Sequence, residues 1–518
     1  MDTVAASPSP AALTLALKRQ AAPAAAAPTN APATPAATPA APAAPETSIA
    51  AWAGPATPTS LPELLAGAIA SSPELASATL DVEIAEGRIL EATARDDWQL
   101  GADLSVSSAA GRVGGQSIER QTTLRGQAQV SRLLPTGGAL TFSGSTSVTD
   151  VESDMLGGRQ WTDSVTASLS HPLWRGRGRK IAYADLTRAT LQRDASRLSR
   201  QLSAISVVQS VIAAYWDLVL AEQEVAIAEA SVGLAEERLR LTRAGIKGGK
   251  VADAEALAVE QAIATRQEEQ LASELAVVDR SIILRRATGL PIANGALVLR
   301  VDAAVGADER TWELGALLER AYAASPELAR LAFDQKTTEI DIEVTREGLL
   351  PQVDAALTLG PSGTGATAGA AFENLVKLND YEIGASLSYR QSLGARDVRG
   401  RLRSAAGQLE KIKVTAADIK QQLAQALSRA IGQLELARRR IALAEQTIEL
   451  AQRNIEVELT RFGLGKSTNF DVLQRQDELK QARLRRVRAL VDWRKAEATV
   501  MSLTGDLLPS YGITLQER

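Results

Sequence analysis

Two stretches of this chain repeat one another in the same order, and a duplication with a fixed internal order limits the possible folds more than any single motif. Ser72-Pro73-Glu74-Leu75 recurs as Ser325-Pro326-Glu327-Leu328, a spacing of 253 residues (72 to 325), and the register continues to Trp98-Gln99-Leu100 against Pro351-Gln352-Val353. Ala167-Ser168-Leu169-Ser170 then recurs as Ala385-Ser386-Leu387-Ser388, and Arg243 to Asp253 align with Arg461 to Asp471, at a spacing of 218 (167 to 385). The second copy is therefore 35 residues shorter between Leu100 and Ala167. Two interleaved halves describe the 518 residues better than a division by length alone.

Within each copy the apolar period changes twice. Leu61 to Ala94 and Leu314 to Thr345 carry helical patterning broken by Ser-Pro at 72–73 and 325–326, where proline suits a first helical turn, so each predicts a short helix, a turn and a second helix. Period-2 runs follow. Leu100, Ala102, Leu104 and Val106 alternate with Gly101, Asp103, Ser105 and Ser107; Val165, Ala167 and Leu169 alternate with Thr166, Ser168 and Ser170; Ile383, Ala385, Leu387 and Tyr389 do the same in the second half. Leu124 to Val130 and Leu140 to Val148, joined through Leu134-Pro135-Thr136-Gly137-Gly138, form an extra hairpin that accounts for the 35 residues, which predicts four strands in the first half and two in the second. One amphipathic strand pair cannot close its own edges, so closure has to come from other subunits.

The rest is helix. From Ile181 to about Thr242, Leu198, Leu202, Ile205, Val208, Ile212, Tyr215 and Val219 step by 3 or 4. Leu423, Leu427, Ala430, Leu434, Ala437, Ile441, Ala444, Ile448, Ala451 and Ile455 alternate 4 and 3 throughout, which is a heptad seam with alanines permitting close approach. At about 1.5 Å per residue such helices span roughly 90 Å and must pack lengthwise against partners. Glycine-bearing turns (Gly245 to Lys250, Gly463 to Thr468) lead into second periodic stretches ending at Gly289-Leu290-Pro291 and Gly505, so each half predicts a long antiparallel helical hairpin.

Composition excludes several chemistries. With no cysteine there is no disulfide, thiolate metal site, thiol nucleophile or lipidated N-terminal cysteine. A formal charge of −4 with interspersed signs gives no nucleic-acid footprint, and the basic stretch Lys480 to Lys495 reads as a solvated helix face. No run of 18 apolar residues occurs; Val207 to Ala221 is short and holds Gln209, Ser210 and Asp217, so no transmembrane helix is expected. Met1-Asp2 opens without a basic n-region and Leu13 to Leu17 is a weak apolar core, so a signal peptide, if the protein is exported, is expected outside this sequence. Pro and Ala make up 27 of the 38 residues from Ala21 to Pro58, which predicts a semi-extended, disordered linker.

Few motifs carry chemistry. Thr468-Asn469-Phe470-Asp471 has capping-box form, while the first tip has Lys250 at the capping position and keeps Asp253, which leaves open a function for the two tip aspartates beyond capping. Gly465-Lys466-Ser467 lacks the first glycine and the preceding strand of a phosphate-binding loop, and Gly249-Lys250 fails likewise. The sole histidine, His171, stands before Pro172 at a strand end, which suits an interfacial side chain rather than a base or ligand. Arg175-Gly176-Arg177-Gly178-Arg179 reads either as a site for anionic head groups or as a flexible strand-to-helix joint. Trp161, Trp174, Tyr381 and Tyr389 lie at strand ends, where an interfacial girdle would place them.

Over residues 61 to 508 the chain resembles the outer membrane efflux proteins of the TolC type, on the strength of Arg461 to Leu473 at the second tip, the paired Ser-Pro-Glu-Leu segments, and Leu173-Trp174-Arg175-Gly176-Arg177-Gly178 before the first long helix. The resemblance implies an α+β membrane protein with internal duplication: a trimeric outer membrane β-barrel continuous with a long periplasmic α-helical barrel, in a Gram-negative bacterium. The expected division is a linker over 1–60; a first repeat over 61–290 (short helices 61–98, strands 99–173, helical hairpin 174–290); a connector over 291–310; and a second repeat over 311–508 (short helices 311–350, strands 351–393, hairpin 394–508). It implies no catalytic site, no cofactor and no metal. The implied partners are two further copies of the chain, a periplasmic adaptor, an inner-membrane transporter and outer membrane lipid.

By the same likeness Asp471 falls on an acid constricting the periplasmic entrance, with Asp253, Gln474 and Phe462 the other gate candidates. In a trimer, like charges there favour bound cations and raise carboxylate pKa values. Gly465 falls on the tip glycine that meets the adaptor, and Gly245, Lys247, Gly248, Gly463 and Lys466 complete the expected contact. Gln474 stands where some members carry a second acid, Ser467 and Phe462 where a latch arginine and tyrosine stand, and Lys247 where the first tip has glycine. Six strands per subunit in place of four would make 18 in a trimer in place of twelve. The competing reading is a periplasmic coiled-coil adaptor or scaffold without a channel, which would not need the strands. An enzyme is disfavoured by one histidine, no cysteine and no convergent polar motif.

Overall fold

The computed structural model describes residues 57–113, 116–152, 158–249, 251–292, 297–301, 306 and 312–514. Most of the expected linker, most of the 291–310 connector and Lys250 lie outside the described residues. In chain order the elements are β1 (Thr57–Thr59), α1 (Leu61–Ser71), α2 (Pro73–Thr93), β2 (Gln99–Val113), β3 (Gln116–Leu133), β4 (Ala139–Glu152), β5 (Gly158–Pro172), α3 (Arg179–Ala182), α4 (Ala184–Lys247), α5 (Ala254–Ala287) and β6 (Leu299–Val301). There follow α6 (Leu314–Ala324), α7 (Pro326–Glu347), β7 (Gln352–Gly365), α8 (Ala368–Val376), β8 (Asp380–Arg390), α9 (Arg396–Gly463), α10 (Asn469–Thr504) and α11 (Leu507–Ser510).

The Ser-Pro breaks behave as their chemistry requires. Ser72 and Ser325 cap α2 and α7, accepting from the Leu75 and Leu328 amides, with Pro73 and Pro326 opening each first turn. The helical hairpins also follow their seam. Leu427, Ala430, Leu434, Ala437, Ile441, Ala444 and Ala451 on α9 are buried, as are Val208, Ile212, Tyr215 and Val219 on α4. One 18-residue window of α4 is apolar enough to cross a bilayer by composition, yet 61% of it is buried inside the chain. The window packs the core formed with Leu64, Leu65, Leu284, Val491 and Ala498. The basic stretch 480–495 differs from its reading as a merely solvated face: Lys480 pairs with Glu269 on α5, Arg486 with Glu445 on α9, and Arg488 and Lys495 with Glu224 and Asp217 on α4. These pairs align the four long helices, each adding at most about 1 kcal/mol where exposed.

The extra hairpin joins the sheet. Six strands run in the order β2-β3-β4-β5-β7-β8, all antiparallel. Cross-strand pairing aligns the alternation, so one face carries Leu100, Leu104, Val106, Leu124, Val130, Phe142, Val165, Leu169, Leu357, Leu359, Ile383 and Leu387. The other carries Ser105, Gln127, Gln129, Ser145, Ser164, Ser168, Thr358 and Ser386. The apolar face is largely open, with Leu100 at 78% and Leu387 at 70% exposure. β2 and β8 each have one edge without a strand partner among the described residues.

Three features were not anticipated. Thr57–Thr59, assigned to the linker, pairs in parallel with Leu299–Val301 in the connector. The first long helix is interrupted at Tyr183, between α3 and α4. A helix, α8, stands between β7 and β8 where only strands were expected.

Of the two readings of Arg175 to Arg179, the backbone supports the joint. Gly176 and Gly178 have φ of 84° and 100°, and the Gly178 amide donates to the Thr136 carbonyl at 3.0 Å, seating the β3–β4 turn against the strand-to-helix passage. Gly137 in that turn has φ of 97°, and a Cβ there would stand 2.4 Å from the Gly176 carbonyl oxygen. Gly137→Ala should therefore destabilise the protein by at least about 1 kcal/mol through left-handed backbone strain, before the clash is counted. Thermal unfolding of the two proteins side by side measures this, and an unchanged midpoint would show that the turn can move away.

Candidate gate at the helical tips

α9 ends at Gly463, and a tight turn with Gly465 at φ 71° passes the chain to α10. The capping box forms: the Thr468 hydroxyl accepts from the Asp471 amide at 3.3 Å, and Asp471 Oδ2 accepts from the Thr468 amide at 3.0 Å and its hydroxyl at 2.7 Å. The Thr468 amide in particular, then the Thr468 and Ser467 hydroxyls, hold the Asp471 carboxyl below its ordinary pKa. Within one chain this is opposite in direction to the effect expected of three such acids around an axis.

The first tip is built differently. Asp253 precedes α5 without a side-chain capping bond and is exposed. Gly245 is half-buried against Val251, while Lys247 and Gly248 are exposed. Gly463, Gly465, Lys466 and Gln474 are exposed as well. Phe462 is half-buried, its ring under the Arg238 guanidinium at 3.9 Å from the centroid. Of the expected gate residues, Asp471 is tied into the turn by Thr468 and Ser467, Phe462 is tied to α4 by Arg238, and Gln474 and Asp253 stand outside both clusters.

The centre of the Arg238 cluster is a residue to which the sequence reading gave no role. Asn469, fully buried at the start of α10, accepts through Oδ1 from Arg238 Nε at 2.6 Å and from the Thr242 hydroxyl at 3.3 Å, both on α4. Its amide donates to Glu255 Oε2 on α5 at 3.1 Å. Arg238 therefore touches the second hairpin twice, through Asn469 and through the face of Phe462. On the other side of the turn, Ser467 donates to the buried Glu458, which also pairs with Arg461. Farther along, Arg266 of α5 is buried and donates to the Ser231 carbonyl on α4 at 3.0 Å and to Asp477 on α10 at 2.9 Å.

A signal for some of these residues was present. Glu458 is the next step after Ile455 in the 4,3 alternation, and Arg238 and Thr242 continue the buried positions of α4 after Ala235. A charge at a seam position marks a polar contact between helices. Nothing local marks Asn469, because a first-turn position is buried only when another helix covers it.

The clasp joins two hairpins through polar contacts in a place where water is largely excluded. Asn469→Ala would leave Arg238 and Thr242 without their acceptor, a loss of about 1–3 kcal/mol. Hydrogen exchange should rise at amides 462–472 and 238–247 with little change along the rest of α9 and α10. Uniform acceleration would instead mark Asn469 as a contributor to global stability only.

Residues 317–506 match the family described as outer membrane efflux protein. No curated protein matches the chain. Among solved structures, the outer membrane protein VceC of Vibrio cholerae is 14% identical, with a TM-score of 0.61, covering 86% of this chain and 96% of its own. The CmeC outer membrane channel of Campylobacter jejuni is 13% identical, TM-score 0.62, with 86% of both chains covered. The MtrE outer membrane channel of Neisseria gonorrhoeae, solved in its open state, is 15% identical, TM-score 0.59, covering 86% of this chain and 89% of that one. The second half of the chain thus carries an outer membrane efflux protein domain, and the chain as a whole has the fold of these outer membrane proteins.

Proposed function

We propose that the protein is a trimeric outer membrane channel-tunnel, a passive conduit through which small molecules or proteins leave the cell as the outer part of a tripartite pump. The observation that carries this reading is the sheet: six amphipathic strands with an exposed apolar face, a polar face, and two edges without a strand partner among the described residues, which further copies would pair. Tyr381 and Tyr389 are eight residues apart on β8, about 27 Å along the strand, comparable to the roughly 25 Å apolar band of outer-membrane barrels. Three copies would give an 18-stranded barrel, apolar outside and lined by Ser, Thr and Gln. A coiled-coil scaffold without a channel has no use for such a sheet.

The helices support the same assembly. On α9, Leu436, Leu443, Leu450 and Val457 recur every seven residues and are 48–63% exposed, a ridge separate from the buried seam. The other hairpin has exposed Leu234 and Leu241 on α4 and Leu257 and Leu271 on α5. Ridges of this kind on both hairpins suit lengthwise packing between neighbouring copies. The tips then form the periplasmic entrance, with Asp471, Asp253, Gln474 and Phe462 near the constriction. Gly245, Lys247, Gly248, Gly463, Gly465 and Lys466 meet an adaptor that links the channel to an inner-membrane transporter. No step of bond chemistry is assigned to the protein.

Cryo-electron microscopy of the detergent-extracted protein tests the assembly: threefold symmetry with 18 strands is expected, and a water-soluble particle without a barrel would return the scaffold reading. Leu443→Glu with Leu450→Glu should shift the protein from trimer toward monomer in native mass measurements, because both side chains are exposed in a single chain. A trimer of undiminished stability would remove this ridge from the interface. At the entrance, Asp471→Asn should weaken block of single-channel current by divalent cations added on the periplasmic side; identical block in both proteins would exclude Asp471 as the cation site.

A further inference from the structure

α8 lies against the far end of the sheet, away from the helical hairpins, and its seat is made of glycine. A Cβ on Gly363 would fall 2.2 Å from the Ala371 carbonyl oxygen, and one on Gly365 would fall 2.6 Å from the Ala371 amide nitrogen. Such contact is open only to residues without a side chain. The helix is further held by Thr367, which accepts from the Ala370 amide at 3.3 Å, and by Asn374 Nδ2, which donates to the Thr364 carbonyl at 2.8 Å.

The register identifies the face that α8 covers. Gly363 pairs with Asp163 and Gly365 with Trp161, and on β5 Trp161 and Asp163 fall at the same alternate positions as Val165, Ala167 and Leu169, which places them on the apolar face. Asp163 shares a shallow groove with Phe372 and Leu375, and its Oδ1 is buried without a hydrogen-bond partner. A carboxylate on a surface turned toward hydrocarbon is costly, and a helix laid beside it limits that exposure. α8 is itself two-sided. Ala371 and Leu375 are buried on the sheet, Phe372 and Val376 stand 61% and 64% exposed one turn apart, Leu378 follows at 61%, and Glu373 pairs with Lys377.

From this geometry we infer that α8 is an interfacial helix on the outside of the barrel, its Phe372–Val376–Leu378 ridge embedded among the acyl chains of the outer leaflet and its Glu373–Lys377 pair at head-group level. The inference rests on the barrel reading, and its distinguishing content is the side: a helix between strands at a pore mouth could equally fold into the lumen as a plug. Continuity with the open apolar face, where Tyr381 and Ile383 are 70% and 65% exposed beside it, commits the occupant to lipid.

The absence of cysteine makes the test direct. Nitroxide labels are placed singly through Val376→Cys on α8, Ile383→Cys on the apolar strand face and Ser386→Cys on the polar face, in protein reconstituted into phospholipid vesicles. Power saturation then compares collision with oxygen, which partitions into hydrocarbon, against a water-soluble nickel chelate. Oxygen-dominated relaxation at 376 and 383 with nickel-dominated relaxation at 386 is the expected result. Nickel-dominated relaxation at 376 with 383 still in lipid would overturn the α8 inference and leave the barrel standing; nickel dominance at all three would overturn both. As a second measurement, replacing residues 366–379 by an Asn-Gly turn should leave single-channel conductance unchanged, and a severalfold rise would identify α8 as a plug in the lumen.

Discussion

A strand edge facing hydrocarbon has nowhere to place its N–H and C=O groups, and each one left unpaired costs several kcal/mol. That constraint reaches through the whole molecule. The sheet ends at β2 and β8 with strand edges lacking partners among the described residues, and its apolar face is wide open; in the proposed trimer each chain is one sector of the barrel. In the proposed trimer the long helices share that requirement, with exposed ridges on α4, α5 and α9 that pack only when copies stand side by side. In that proposal one chain supplies both a wall of strands and a wall of helices. The glycine joint at Gly176 and Gly178 lets the chain pass from one to the other.

The contacts between hairpins differ in kind along their length. In the core near Val211, Leu218, Leu284 and Val491 the buried contacts are apolar, with the Lys495–Asp217 and Arg488–Glu224 pairs at their margin. Toward the tips they become polar, through Arg266 with Asp477 and Arg238 with Asn469, Thr242 and Phe462. Apolar contact is tolerant of small sliding, whereas a directional hydrogen bond from a buried arginine is either made or broken. A gate needs that second property, and the structure concentrates it where the channel reading places the entrance. The Asp471 carboxylate serves the cap of α10 at the same point, so a role in gating and a role in helix termination fall on one side chain.

Much of this was legible in advance. The two Ser-Pro caps, the 4,3 seam of α9 and the alternation of β2, β5 and β8 are local patterns, because a helix or strand with one buried side writes its own period into the chain. The 35-residue length difference identified the extra hairpin, since a duplicated unit exposes an insertion by comparison with its sibling. The tip candidates Asp471 and Phe462 were reached through family likeness, and the structure supplied their partners. α8 escaped notice because its nine residues are too few for periodicity to declare itself, and their burial depends on glycines several positions away. Asn469 escaped for a related reason: its environment is made by α4 and α5, more than two hundred residues earlier.

What the sequence determined by itself, then, is the order of the major elements, the paired short helices, the amphipathic strands and the long helical hairpins, and the apolar side of each, all properties that a segment carries through its own spacing of apolar residues. Only the tertiary structure decided that the extra hairpin enters the same sheet as the second-half strands, that α8 lies over Gly363 and Gly365 beside Asp163, and that Arg238 reaches Asn469. Those outcomes depend on which surfaces meet. Pairing across β5 and β7 brings together residues about two hundred positions apart, and no local pattern distinguishes the correct strand neighbour from any other with the same alternation.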